Sequence, residues 1–210
     1  MNHDLSRRTF IAAGAASLAA TSLPALEPIQ RKNPNPKLKL SLAAYSFRQF
    51  LPNYRGGKPK KTEMTMLNFV DYCAQQELDG AEITAYFIPD PTPHDLINRI
   101  KRRAAVNGID ISGGAVGNRF SFAPDGPKAE AQMKSIEGWL QTYAGMGAPA
   151  IRIFAGHPEK GQSEKEAIGN IIHNLNAAAK IAETYGVILA IENHDFTTHV
   201  DRLMDILEGV

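Results

Sequence analysis

The sequence predicts an α/β fold with a parallel β-sheet, in a (β/α)8 barrel rather than an open doubly wound sheet. Short apolar segments begin near residues 38, 80, 109, 148 and 187, at intervals of 42, 29, 39 and 39 residues, with helical patterns between them. This alternation is typical of parallel strands that are joined by helices. The first strand ends in Tyr45-Ser46-Phe47-Arg48. It lacks the Gly-x-Gly-x-x-Gly loop of a doubly wound nucleotide-binding sheet, which favours the barrel.

The first half of this region predicts three strands, over residues 38–47, 81–84 and 109–116, with two helices between them. Thr65 can cap the first helix, because its side-chain oxygen can accept a hydrogen bond from a free backbone amide. The second helix begins at Asp95, and the pair Asn107-Gly108 ends it. Glycine after the last helical turn is a common helix terminator.

The second half predicts helices over residues 127–147, 163–185 and 200–207, and strands over residues 150–155 and 187–191. The helix over residues 163–185 has the clearest pattern, with Ile168, Ile171, Leu175 and Ala178 on one face. Such spacing places apolar side chains on the side of the helix that packs on a sheet. The strand over residues 187–191 is uniformly apolar, which predicts burial on both faces.

Composition excludes several classes of protein. The 210 residues include 23 Lys+Arg and 22 Asp+Glu, a net charge of +1, which argues against a nucleic-acid binder that needs a basic excess. Hydrophobic residues are 43% and charged residues 21%, which excludes disorder of the whole chain. The single cysteine, Cys73, excludes an internal disulfide, and without a CxxC motif a zinc site built on thiolates is not expected.

The first 25 residues resemble a signal peptide of the twin-arginine type. Arg7 and Arg8 precede Phe10 and an Ala-rich run, and small residues follow near Pro24. A basic start, a mildly apolar middle and a small-residue end are typical of secretory signals. We therefore expect export to the periplasm and no membrane anchor after cleavage. Residues 26–37 predict a Pro-rich linker, and residues 38–210 predict the barrel domain.

The candidate functional site lies at the carboxyl ends of the predicted strands, where the active sites of (β/α)8 barrels are found. The side chains there are unusually polar for the ends of apolar strands, and they include Tyr45, Glu82, His157, Glu192, Asn193 and His194.

Glu192 is the most informative of these residues, because a buried strand runs directly into it. A buried carboxylate must be paired, protonated or bound to a metal. The sequence therefore favours a metal ligand or general base at Glu192, and the alternative is an ion pair with Arg152 on the neighbouring strand. His157, on a loop after Gly156, is suited to proton transfer or to contact with substrate hydroxyls. Tyr45, Glu82, Asn193 and His194 are candidates for contacts with substrate. The alternative for Glu82 is a structural hydrogen bond from a neighbouring loop, and the alternative for His194 is orientation of the adjacent acid.

Four segments carry a resemblance to the xylose isomerase-like TIM-barrel superfamily, and in particular to its exported sugar phosphate isomerase/epimerase-type proteins. They are Ala44-Tyr45-Ser46-Phe47, Gly80-Ala81-Glu82-Ile83, Ile151 to Gly156 and Ile191-Glu192-Asn193-His194. The resemblance spans residues 38–210, and the Glu-Asn-His after the fifth strand is its most specific part.

The resemblance implies a divalent ion, Mn²⁺, Mg²⁺, Co²⁺ or Zn²⁺, with Glu192 as a ligand and as a base that moves a proton between sugar carbons. It implies a small carbohydrate-like substrate, and an oligomer is compatible with it. The sequence ends at Val210 within the fifth helix, whereas an eight-stranded barrel has about 250 residues. We therefore expect a partial chain of about five βα units. The family's other ligands, an Asp, a His and a second Glu, are expected beyond residue 210.

Two other functions remain open. One is a non-catalytic sugar-binding barrel. The other is a metal phosphodiesterase like endonuclease IV, which carries histidines after the second and third strands. This chain has Glu82-Ile83-Thr84 and Val116-Gly117-Asn118 at those places, which disfavours the nuclease.

Overall fold

A five-stranded parallel sheet organises the protein, whose computed structural model describes residues 38–56, 59 and 61–210. The predicted signal peptide and linker lie outside the described residues. Residues Lys39–Val210 form one compact unit. Its strands are β1 (Ser41–Ala43), β2 (Gly80–Thr84), β3 (Asp110–Ala115), β4 (Ala150–Phe154) and β5 (Ile188–Glu192).

The strands lie side by side in chain order, and every neighbouring pair is parallel. A doubly wound sheet reverses its strand order part of the way along the chain, whereas a barrel wall adds each strand next to the previous one. The predicted fold class is therefore confirmed: the chain is an α/β protein whose strand order matches five successive units of a barrel wall.

Helices follow each strand and cover one face of the sheet. They are α1 (Met66–Gln75), α2 (His94–Asn107), α3 (Pro127–Met146), α4 (Glu164–Tyr185) and α5 (Val200–Glu208). Thr65 caps α1 as predicted, since its side chain accepts a hydrogen bond from the amide of Asn68. Gly108 ends α2 in the left-handed region at φ 69°, also as predicted. In the part of the chain that is described, no helix is both long and apolar enough to cross a membrane.

The first predicted strand is much shorter in the structure. Only Ser41–Ala43 pairs with β2, and Ala44–Phe47 forms a 3₁₀ turn. Leu38 and Leu40 lie before β1, which is at the edge of the sheet, and both are exposed. Tyr45 thus lies in a turn beyond the strand and not at its tip.

Side chains on the central strands alternate between two faces, as the pleat of a strand requires. Ile151 and Ile153 are fully buried under the helices, whereas Arg152 and Phe154 point to the opposite, inner face and are only partly buried. Tyr143 of α3 is also fully buried, and its hydroxyl donates to the carbonyl of Ile83 at 2.6 Å.

The prediction that the fifth strand is buried on both faces is wrong. Ile188 of β5 is 66% exposed, and Ala190 is exposed as well. β5 is an edge strand in the described sheet, since it pairs with β4 alone. The apolar residues of β5 therefore indicate burial of its helix-covered face alone, whereas its inner face is open to solvent in the described sheet.

Candidate functional site

The carboxyl ends of all five strands meet at one edge of the sheet, because the strands are parallel. Glu192 is the last residue of β5, and Glu82 is the third residue of β2. Tyr45 lies in the turn after β1, and His157 lies on the loop after β4. The structure therefore places these four predicted site residues toward the same end of the fold.

Three ionisable side chains form a cluster on the inner face, which we call the charged cluster: Glu82, Arg152 and Glu192. Arg152 Nε donates to Glu192 Oε2 at 2.8 Å, and the two side chains are 22% and 37% exposed. A second nitrogen of Arg152 donates to the carbonyl of Val116 at 2.9 Å, and its guanidinium lies 3.9 Å from the ring centroid of Phe154. Arg152 is thus held by three partners, and it fixes one oxygen of Glu192.

Glu82 occupies a different environment from Glu192, although both belong to the charged cluster. Burial raises the pKa of the Glu82 carboxyl above its ordinary value, and the negative charge of Glu192 adds to this increase. The positive charge of Arg152 opposes the increase without cancelling it. A carboxyl group with a raised pKa holds its proton to a higher pH, so Glu82 is suited to donate a hydrogen bond, which an ionised carboxylate cannot do.

A cleft of about 440 Å³ opens beside the charged cluster. Among the predicted site residues, His157 and His194 line it, whereas Glu82, Glu192, Asn193 and Tyr45 are not part of its lining. Two contacts connect the cleft with those residues. Phe154, which lies against Arg152, lines the cleft, and so does Tyr86, whose ring centroid is 6.4 Å from that of Tyr45.

His157 is exposed and is held from two sides. Its ring nitrogen Nε2 accepts a hydrogen bond from Arg119 Nη2 at 2.5 Å. Its backbone carbonyl accepts one from the hydroxyl of Ser121 at 2.6 Å. Arg119 and Ser121 therefore fix the position of His157 at the cleft.

His194 and Asn193 follow β5 and are both exposed. His194 Nδ1 lies 3.0 Å from Asp195 Oδ2, and its ring centroid is 4.8 Å from that of Phe154. The side chain of Asn193 makes no hydrogen bond to another described residue. His194 is therefore fixed at the rim of the cleft, and Asn193 is free to meet a ligand.

Sequence reasoning missed the residues that hold the loop between β3 and α3. The Asn118 amide bridges to β4, since it donates to the Phe154 carbonyl at 2.6 Å and accepts from the Phe154 amide at 2.8 Å. Asn174 of α4 is buried and donates to the carbonyls of Phe120 and Phe122 at 2.7 and 2.9 Å. An asparagine on the apolar face of α4 was the available signal, because a buried amide must find partners.

The described residues do not by themselves fit a divalent ion. They contain no group of three His, Cys, Asp or Glu side chains that could hold one. Glu192 offers a carboxylate, but Arg152 already engages its Oε2 atom. A metal site would therefore need ligands in addition to those of the described part of the chain.

Several solved structures share this fold at low sequence identity. D-psicose 3-epimerase from Clostridium cellulolyticum H10, crystallised with D-tagatose, has a TM-score of 0.65 and 16% identity, with coverage of 82% of this chain and 60% of that one. The probable 3-DHS dehydratase AsbF from Bacillus anthracis has a TM-score of 0.63 and 15% identity, with coverage of 82% and 59%. The IOLI protein with a bound zinc atom has a TM-score of 0.63 and 16% identity, with coverage of 81% and 58%.

This chain thus spans about 60% of the length of the solved structures that it matches. A sequence comparison with curated proteins finds no match. A family model does match, over residues 70–210, and it describes a xylose isomerase-like TIM barrel. With its strand order and its structural neighbours in agreement, the chain belongs to the xylose isomerase-like TIM-barrel family.

Proposed function

We propose that the protein is an isomerase or epimerase of a sugar or sugar phosphate, in which Glu192 moves a proton between substrate carbons. The observation that carries this proposal is the charged cluster at the carboxyl end of the sheet, where barrel enzymes hold their catalytic groups. The sugar epimerases among the structural neighbours support the substrate class.

In this proposal, Glu192 is the base. Its carboxylate is oriented by Arg152, whose Nε atom contacts Oε2 at 2.8 Å and leaves Oε1 outside this contact. Removal of a proton from the carbon next to a carbonyl produces an enediolate. Return of this proton by Glu192 to the neighbouring carbon completes an isomerisation, whereas an epimerisation needs a second acid that protonates the same carbon from the opposite face. Glu82, whose pKa is raised by burial, is suited to donate a hydrogen bond to a substrate oxygen. His157 and His194, at the cleft, are suited to contact substrate hydroxyls.

A divalent ion is a further part of the proposal, with Glu192 as one ligand and Mn²⁺, Mg²⁺, Co²⁺ or Zn²⁺ as the candidates. The zinc atom of the IOLI protein supports a metal in this family. Since the described residues do not complete a site, the first test is direct. Calorimetric titration of the EDTA-treated protein with each ion measures whether binding occurs, and Glu192→Gln should weaken it.

The main experiment measures exchange of substrate hydrogen with solvent deuterium in a panel of ketoses and aldoses. Glu192→Gln keeps the shape of the side chain but removes its basicity, and exchange should fall by about 10²–10⁴-fold. The matched control is Glu183→Gln, an exposed position of α4 remote from the inner face, which should exchange like the parent. If the Glu192→Gln variant exchanges deuterium as fast as the parent does, Glu192 has only the structural role of pairing with Arg152.

A non-catalytic sugar-binding protein is the second candidate. The ion pair between Arg152 and Glu192 favours it, because this pair gives the carboxylate a structural role without any reaction. Sugar binding without deuterium exchange in any substrate of the panel would select this candidate.

A further inference from the structure

We propose that the cleft recognises an anionic substituent of the substrate, a carboxylate or a phosphate, through the guanidinium groups of Arg119 and Arg55. This inference rests on the proposed function, because it names the class of compound that the isomerase or epimerase would accept. The shared chemistry is a planar or tetrahedral oxyanion, which the fork of an arginine binds through two parallel hydrogen bonds.

The first argument is that these two arginines have no acidic partner within the described residues. Four other arginines each have a carboxylate oxygen at 2.7 to 3.6 Å, and these are Arg99, Arg103, Arg152 and Arg202. Arg55 and Arg119 form no such ion pair with a described residue, and both line the same 440 Å³ cleft. Guanidinium groups that have no acidic partner among the described residues and that line one concave surface can bind a negatively charged ligand.

The second argument is that Arg119 is positioned by its surroundings. Its backbone amide donates to Oε1 of Gln132 at 2.9 Å, and its guanidinium lies 5.6 Å from the ring centroid of Phe122. Its side chain passes over Gly156, where a Cβ atom would lie 2.6 Å from Arg119 Cγ, and it reaches the ring of His157. Residue 156 has φ 95°, so glycine suits both the backbone and the close approach.

Arg55 is positioned in a comparable way, by an aromatic ring that packs on the loop carrying Arg119. Its guanidinium lies 4.3 Å from the ring centroid of Tyr86. The ring of Tyr86 in turn packs on Gly117, where a Cβ atom would lie 3.1 Å from Tyr86 Cε1. An arginine that is stacked on an aromatic ring keeps its N–H donors at the edge of the plane, free for a ligand.

The acidic residues of the lining do not neutralise these arginines by direct contact. The two acids are Asp90 and Asp195. Asp195 lies 3.0 Å from Nδ1 of His194, and Asp90 forms no ion pair with a described residue. Arg55 therefore keeps its hydrogen-bonding edge for an incoming anion, and Arg119 keeps the donors that do not contact His157.

The cleft also lies next to the charged cluster, as the recognition of a substrate that reacts at Glu192 requires. Phe154 lines the cleft on one side and contacts the guanidinium of Arg152 on the other. A ligand whose acidic group lies at Arg119 and Arg55 would thus extend toward the charged cluster. This arrangement separates the group that is recognised from the carbons that react.

The test is calorimetric binding of D-fructose, D-fructose 6-phosphate and D-glucuronate to the full chain at low salt. The parent should bind at least one of the two anionic sugars about tenfold or more tightly than D-fructose, as charge-assisted hydrogen bonds would provide. A preference for D-fructose 6-phosphate alone assigns a phosphate, and a preference for D-glucuronate alone assigns a carboxylate. Equal or tighter binding of D-fructose overturns the inference.

Variants of the two arginines then test whether the preference for an anionic sugar arises in the cleft. Arg119→Gln and Arg55→Gln should each reduce it, whereas Arg102→Gln should not, since Arg102 is an exposed arginine of α2 that does not line the cleft. An equal loss in all three variants would mean attraction by net charge alone and would overturn the proposal. Arg119→Lys keeps the positive charge but lacks the planar guanidinium group. Its preference for an anionic sugar should therefore lie between those of the parent and of Arg119→Gln.

Glu192→Gln separates this inference from the proposed function. If the preference for an anionic sugar persists in that variant while deuterium exchange is lost, both proposals stand. If an anionic sugar binds through Arg119 but the parent exchanges no deuterium, the isomerase proposal fails and the anion site remains. If exchange occurs on neutral sugars with no dependence on Arg119, the anion site fails and the isomerase proposal remains.

Discussion

Arg152 Nε and Glu192 Oε2 lie 2.8 Å apart across two neighbouring parallel strands, with the guanidinium of Arg152 also bound to the carbonyl of Val116. This contact is the ion pair that the sequence offered as the alternative to catalysis at Glu192. The two roles are compatible, because an arginine that orients a carboxylate through one oxygen leaves the other oxygen for a substrate.

The strength of this pair can be measured by a double-mutant cycle with Arg152→Gln and Glu192→Gln. We expect a coupling in the free energy of unfolding of about 0.5–1 kcal/mol, because the pair is partly exposed and solvent weakens it. The exposed pair Lys39–Asp110, whose side chains are both 64% exposed, is the matched control and should couple more weakly. Urea unfolding at pH 7 measures both cycles. A coupling no larger than that of the control would contradict the structural role of Arg152.

Glu82 should make the stability of the protein depend on pH. Burial raises the pKa of this carboxyl above its ordinary value of 4.5, so the folded state holds the proton more tightly than the unfolded state does. Its contribution to stability is therefore complete below about pH 4.5 and is lost as the pH rises through the pKa of the folded state. Glu82→Gln cannot ionise, and its stability relative to the parent should increase as the pH is raised from 4 to 8.

Urea unfolding of the parent and Glu82→Gln at several pH values tests this expectation. Glu183→Gln, at an exposed site of α4, is the control for the loss of one carboxylate. A relative stability of the Glu82→Gln variant that falls with rising pH would mean that Arg152 outweighs the burial of Glu82.

Two glycine-to-alanine substitutions should change the stability of the protein in opposite directions, because only one of the two glycines packs against a buried side chain. A Cβ atom at residue 114 would overlap the ring of Tyr143, which is fully buried and hydrogen-bonded to Ile83. Gly114→Ala should therefore destabilise the protein by about 1–3 kcal/mol. Gly138 lies inside α3, and a Cβ atom there would meet nothing within 4 Å, so Gly138→Ala should stabilise it by about 0.5–1 kcal/mol. Thermal unfolding measures both changes, and a neutral Gly114→Ala would show that Tyr143 can move.

Export by the twin-arginine route is a proposal from the sequence of residues 1–25, which lie outside the described residues. Residues 1–30, fused to a reporter that must fold in the cytoplasm before export, should carry it to the periplasm. Changing Arg7 and Arg8 together to lysine should abolish this transport. The measurement is reporter activity in the periplasmic fraction, and continued transport of the double variant would rule out this signal.

Local signals in the sequence determined the order and type of the elements and most of their ends. Thr65 and Gly108 act through hydrogen bonds and dihedral angles within a few residues, so their effect is visible without the fold. The placement of the candidate residues toward one end of the fold was also predicted from the sequence, because parallel strands present their carboxyl ends together. The length of β1 could not be predicted, since its pairing depends on a neighbour 39 residues away at Gly80.

Only the tertiary structure decided which partners the candidate site residues have. The sequence predicted Glu192 and His157 as site residues but not all of their contacts. The register of β4 and β5 places Arg152 beside Glu192. The loop that Asn174 holds places Arg119 beside His157. The exposure of the inner face of β5 within the described sheet depends in the same way on the neighbours of the strand and not on its own residues. The reason is physical: a cap or a helical face involves residues a few positions apart, whereas an ion pair across a sheet requires two distant segments to meet in one register.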